Sequence, residues 1–256
     1  LGIFNYIFTK FSLNSPLINH KKEKNMSLYD RRNYADGYEL SDASLEQGRI
    51  SQTIKQTYAL LTASMIAAAA GAFVAMSFGV SLALHPILYL VVLMGLIFGM
   101  QAAVNRGANT IALVLLFAFT FITGLALGKL IAIYIAAGAG DVVTHAFVAT
   151  AITFGALTVY AMNTKTNFDS WGKPLLVSLV AIIVLSLLNY FFFKSTVLDI
   201  AISAFSALIF SMYIIYDTKN IINGTYTSPI MAAVSMYLNI YNLFLALLRI
   251  FGASRD

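Results

Sequence analysis

From Gln56 onward the chain alternates between long apolar runs and short polar joints. The runs are Gln56–Phe78, Pro86–Val104, Ala108–Gly128, Val142–Met162, Pro174–Phe193, Val197–Tyr216 and Ile230–Phe251. Each is about 19–23 residues long, enough to cross a hydrocarbon core of roughly 30 Å at 1.5 Å per residue. The joints hold breakers or charge: His85-Pro86, Asn105-Arg106-Gly107, Gly138–Asp141, Asn163–Lys173, Lys194-Ser195 and Asn223–Pro229. Backbone polar groups cannot face hydrocarbon unpaired, so runs this apolar are helices. The pattern predicts an all-α membrane protein. It is a seven-transmembrane-helix bundle over residues 54–252, with a short C-terminal tail at 253–256.

The first 53 residues follow a different pattern. Residues 1–25 begin without Met and combine an apolar-aromatic head, Ile3–Phe11, with the charged run His20-Lys21-Lys22-Glu23-Lys24. That head is too short to span and lacks a small-residue cleavage site. The natural start is therefore expected at Met26, with the preceding residues an upstream extension. Met26–Thr53 is polar, with Asp30, Arg31, Arg32, Asp36, Glu39, Asp42, Glu46 and Arg49, and shows no periodicity. It reads as a disordered cytoplasmic tail.

Small residues recur at every fourth position in three of the runs: Ala63, Ala67, Gly71 and Ala75; Gly95, Gly99 and Ala103; Gly124 and Gly128. Such ridges let helices pack closely in lipid. They predict bundle packing and say nothing of function.

Composition supports the membrane assignment. Of 256 residues, 59% are hydrophobic and 11% charged, and the mean hydropathy is +0.80. A soluble domain carries about 25% charged residues. The absence of cysteine excludes disulfides and thiolate metal sites. A net charge of +5 raises the question of nucleic acid. The basic residues, however, are scattered between apolar runs, which suits membrane orientation and excludes a nucleic-acid patch. With an internal N-terminus, Arg31, Arg32, Arg49, Lys55, Arg106, Lys165, Lys173 and Lys219 fall inside. Lys129, Lys194 and Arg255 then fall outside. This bias predicts a cytoplasmic N-terminus and, after seven spans, an external C-terminus.

An ionisable group at membrane depth is costly and marks a functional candidate. Asp217 closes the sixth run, where desolvation disfavours its charge unless a cation or donors offset the loss. It is thus a candidate proton-sensing group or transient cation contact. The alternative is an interfacial Asp paired with Lys219. In the seventh run Ser235, Asn239 and Asn242 lie at i, i+4 and i+7 and share one helical face. That stripe should point into the bundle, either as interhelical glue or to meet Asp217. Arg106, at the inner end of the second run, is either a positive-inside anchor or a counter-charge for Asp217. Arg249 is expected to reach for the interface. The lone histidines His85 and His145 lack ligand-spaced partners, so no metal site and no cofactor are expected.

The stretches Met212-Tyr213-Ile214-Ile215-Tyr216-Asp217-Thr218-Lys219-Asn220-Ile221 and Ser235-Met236-Tyr237-Leu238-Asn239-Ile240-Tyr241-Asn242-Leu243-Phe244 resemble the sixth- and seventh-helix signatures of the Bax inhibitor-1 (YccA-like) family. Leu247-Leu248-Arg249-Ile250-Phe251-Gly252 completes the seventh-helix pattern, and Phe119-Thr120-Phe121-Ile122-Thr123-Gly124 is similar to the third helix. The resemblance covers about Gln56 to Gly252. It implies a seven-helix fold with the last helix central, in a bacterial inner membrane. It also implies a pH-sensitive calcium leak sensed by two hydrogen-bonded aspartates on the sixth and seventh helices, with an arginine at the end of the second able to pair with them. Asp217 matches the first aspartate and Arg106 the arginine. The second aspartate is replaced here by Asn239. Without like-charge repulsion and with one carboxylate fewer, calcium affinity is expected to be weaker and the pH response shifted lower than in a di-aspartyl member.

Two other functions compete with that expectation. One is a regulatory membrane protein that binds a membrane protease or other membrane partner without transporting ions, a role with which some bacterial relatives of the family are associated; the tail Met26–Thr53 would then be the handle. The other is an enzyme. Tyr216-Asp217 and Gly138-Ala139-Gly140-Asp141 are similar to the motifs of intramembrane aspartyl proteases. Their order is reversed, however, and Asp141 falls in an outer loop, too far from Asp217 to share a water. Neither a Gly-x-Ser-x-Gly elbow nor a His-Glu-x-x-His helix occurs. The expectation is a non-enzyme.

Overall fold

A computed structural model describes residues 28–80 and 86–254. Residues 1–25 and the end of the C-terminal tail lie outside the described residues, as does His85. Seven helices follow: α1 Leu28–Phe78, α2 Pro86–Asn105, α3 Asn109–Ala136, α4 Gly140–Asn163, α5 Gly172–Leu188, α6 Thr196–Ile222 and α7 Pro229–Ala253. A 3₁₀ turn, Asp169–Trp171, leads into α5, and a π turn, Asn189–Phe193, leads out of it. Six of these helices, and α5 taken together with its flanking turns as Asp169–Phe193, are long and apolar enough to cross a membrane.

One expectation is corrected. The polar stretch taken as a disordered tail is helical from Leu28 and runs without a break into the first span, making α1 51 residues long. Lack of amphipathic periodicity argues against packing, not against helix. Once the buried span has supplied a nucleus, outward propagation costs little. Glu46 and Arg49, one turn apart, pair at 2.7 Å on this segment.

α7 is the central element. In its apolar window 61% of residues are buried, against 44% or fewer in every other span. It packs against α1, α3, α4 and α6. Its sequence explains the position. Ala232 and Ala233 allow close approach by neighbours, Met236, Leu243 and Leu248 fill the core, and the polar stripe demands partners. Pro229 sits in the first turn, where its missing N–H costs nothing, and the Ser228 hydroxyl accepts from the Met231 N–H. Ser195 caps α6 in the same way, accepting from Leu198 N at 3.3 Å.

The tightest helix pair is α1 with α3. A Cβ placed on Gly124 would strike the backbone of Ala68, and one on Gly128 that of Ala72. A Cβ on Gly71 would likewise strike the Phe121 carbonyl and crowd the Leu125 backbone. These glycines form the contact that the four-residue spacing predicts. Gly95 on α2 does not, since it faces open space.

Candidate functional site

Asp217 lies on α6 one turn before its end, and its side chain turns toward the start of α7. It is 2% exposed. The chain reverses between α6 and α7 over Asn223–Ser228, with Gly224 at φ +71° where side chains are disfavoured. The reversal lays the first turns of α7 and the loop residue Tyr226 against the carboxylate. Oδ2 accepts from the Ser235 hydroxyl at 2.5 Å and from Asn239 Nδ2 at 2.7 Å. Oδ1 accepts from the Tyr226 hydroxyl at 2.9 Å. Three donors, from one helix and one turn, thus converge on a single buried acid. Among the described residues no basic side chain forms an ion pair with it.

The sequence candidates separate. Asp217, Asn239 and Ser235 come together. Arg106 stands apart, exposed in the turn after α2, with its backbone N–H bonded to the carbonyls of Ala102 and Ala103. No ion pair joins it to Asp217. A guanidinium at a helix end gains more from water and headgroups than from a buried site. Asn242 bonds its own helix, Nδ2 to the Leu238 carbonyl at 2.7 Å. Lys219 donates to the Thr164 carbonyl rather than to Asp217, which removes the interfacial Asp–Lys alternative. Asp141, on the first turn of α4, lines a surface hollow with Phe251 and Ser254 at the C-terminal end of α7, whereas Asp217 meets its N-terminal end.

Tyr226 was not singled out from the sequence. One tyrosine in a short turn has no periodicity, and only its position nine residues after Asp217, across a reversal, hints at contact. The phenol is buried. Burial first, and the adjacent Asp217 second, push it well above the ordinary tyrosine range, so it remains a donor at neutral pH.

Ser235 and Asn239 also line a cavity of about 430 Å³ between α2, α5, α6 and α7. Its walls on α2 and α5 are mostly apolar, with Leu93, Ile97, Leu179 and Ile182, and Tyr89 and Ser186 add a hydroxyl each. Along α6 and α7 polar Ser203, Ser206, Tyr213 and Asn242 alternate with apolar Phe210, Leu238 and Leu245, and Arg249 lines it at the far end of α7. A second polar contact ties α3 to α7: Thr123 Oγ1 and the Tyr237 hydroxyl are 2.6 Å apart.

Comparison with known proteins agrees with this architecture. Residues 50–256 match the family described as inhibitor of apoptosis-promoting Bax1. An uncharacterized protein of Campylobacter jejuni is 42% identical over 230 residues, covering 88% of this chain and 97% of its own. An uncharacterized protein of Helicobacter pylori is 34% identical over 232 residues, 90% of this chain and 99% of its own. The Escherichia coli protein named modulator of FtsH protease YccA is 37% identical over 171 residues, 66% of this chain and 76% of its own. With seven membrane-length helices, α7 central among them, and a family match over most of its length, the chain belongs to the Bax inhibitor-1 family of multi-pass membrane proteins.

Proposed function

We propose that this protein is a pH-responsive cation leak, with calcium as cargo, acting without enzymatic chemistry in a bacterial inner membrane with its N-terminus in the cytoplasm. The observation that carries this reading is the Asp217 carboxylate, buried and held by three donors beside a polar-sided cavity. Every partner of the carboxylate donates. Adding a proton to Asp217 removes the negative charge that strengthens all three bonds, and each falls to the weaker strength of a neutral pair. The sign follows: the cluster is intact when Asp217 is ionised and loosens as pH falls. Those bonds fasten α6 to α7 and to the turn between them, so acidification frees that end of the bundle.

Calcium uptake into proteoliposomes tests this across pH. Wild-type flux should rise on acidification, and Asp217→Asn should remove the pH dependence. Asn239→Asp restores two facing carboxylates, which share a proton, and should move the response to higher pH. Wild-type vesicles that pass no calcium at any pH would exclude the leak. An unchanged profile for Asn239→Asp would exclude the role of the pair.

A second reading is supported by the Escherichia coli relative, which is named modulator of FtsH protease. On this reading the chain binds a membrane protease, and the polar start of α1 is the handle. Removing the residues before Ser44 should abolish protease modulation and leave flux unchanged. Loss of flux with retained modulation would reverse the assignment.

A further inference from the structure

The cavity beside Asp217 extends along α6 and α7 to a charged pair that the leak reading does not use. Asp199, on the first turn of α6, and Arg249, on the penultimate turn of α7, approach to 3.6 Å, and both side chains are 47% exposed. That separation is longer than a hydrogen bond. Asp199 and Asp217 occupy opposite ends of α6, about 27 Å apart at 1.5 Å per residue. The pair therefore marks the end of the cavity far from Asp217: Arg249 lines it, and Asp199, half exposed, stands beside Arg249.

Most of the cavity lining is apolar, but the side formed by α6 and α7 offers polar groups that water can bond. Tyr213 is 6% exposed and lines it, and its hydroxyl has no hydrogen-bond partner among the described residues. A buried hydroxyl left unpaired is costly, and ordered water is its usual remedy. Low-dielectric walls then focus the field of any charge at the mouth. Arg249 alone would repel cations and collect anions. Asp199 cancels that charge.

We propose that Asp199 and Arg249 set the charge preference of a water-filled vestibule for small inorganic ions, Asp199 being the residue that keeps it open to cations. This deepens the cation-leak reading and rests on it for its physiological sense, but its test measures the vestibule without flux. The chain has no cysteine, so Ser206→Cys places a single thiol in the cavity wall. In lipid nanodiscs, its reaction rates with a cationic and an anionic methanethiosulfonate are compared, each relative to Gly48→Cys on exposed helix. Both reagents should label Ser206→Cys. The cation-to-anion ratio should fall at least about threefold with Asp199→Asn and rise by a similar factor with Arg249→Gln, the effect of one partly screened charge. Exchanging the two, Asp199→Arg with Arg249→Asp, should return the ratio to its starting value and controls for misfolding. A thiol inert to both reagents at Ser206→Cys and also at Asn242→Cys would show a dry cavity and overturn the proposal. So would a ratio indifferent to all three charge variants. A shifted ratio in a protein that passes no calcium would sink the leak and leave the vestibule standing.

Discussion

At the scale of single residues, the Asp217 cluster depends on matching one acceptor to three donors, and Tyr226 is the member whose loss is most easily read. Tyr226→Phe removes a donor to a buried carboxylate while keeping the ring. Hydrogen bonds to charged groups contribute about 1.5–3 kcal/mol, so thermal unfolding in detergent should show a destabilisation of that order. Because the phenol is pushed above its ordinary value of about 10, its contribution is complete below that pH and lost only as pH climbs past the raised value. The penalty of Tyr226→Phe should therefore be flat from pH 7 to 9. A penalty that shrinks over that range would mean the phenol ionises early. The same cluster shows what the sequence made legible. Asp217 stood out as an acid in an apolar run, and Ser235 and Asn239 stood out through their i, i+4 spacing, because helical periodicity places side chains without knowledge of the fold. Tyr226 and the exposure of Arg106 depend on how a turn and a helix end lie in space, which no spacing rule encodes.

Between elements, polar and small residues divide the work that hydrophobicity cannot do inside lipid. Gly124 lets α3 touch the backbone of α1 at Ala68, and Thr123 beside it meets Tyr237 of α7. The third-helix motif thus holds two neighbours at once. Gly124→Ala forces backbones apart, because the obstructing atoms cannot rotate away. A cost of about 1–3 kcal/mol is expected, measured as loss of thermal stability. Gly95→Ala, in open space on α2, should cost nothing measurable. Equal effects at the two glycines would refute the packing assignment. The helix boundaries were legible to within a few residues except at the start of α1 and the ends of α3 and α6, which run on to Ala136 and Ile222, because polarity marks the end of the membrane rather than the end of the helix. α1 shows this most clearly: its polar first half is as helical as its apolar second half.

In the whole molecule, the seven helices are organised around α7, and both of its ends carry charged contacts to α6: the Asp217 cluster at one, Asp199–Arg249 at the other. The central helix was anticipated from family resemblance. Nothing in the composition of α7 alone ranks it above α6, because centrality is a property of contacts. One packing detail joins the long first helix to the site. Ile50, in the polar half of α1, lies so close to Gly224 that a Cβ there would come within 2.9 Å of it. Gly224 belongs to the reversal that presents Tyr226 to Asp217. A protein that gripped the protruding end of α1 and tilted it would press on that reversal like a thumb on a latch. Capture of the handle by a protease and opening of a passage for ions would then be one event seen from two sides. Ile50→Ala, which shortens the lever, should leave acid-driven flux intact and uncouple it from whatever holds the other end.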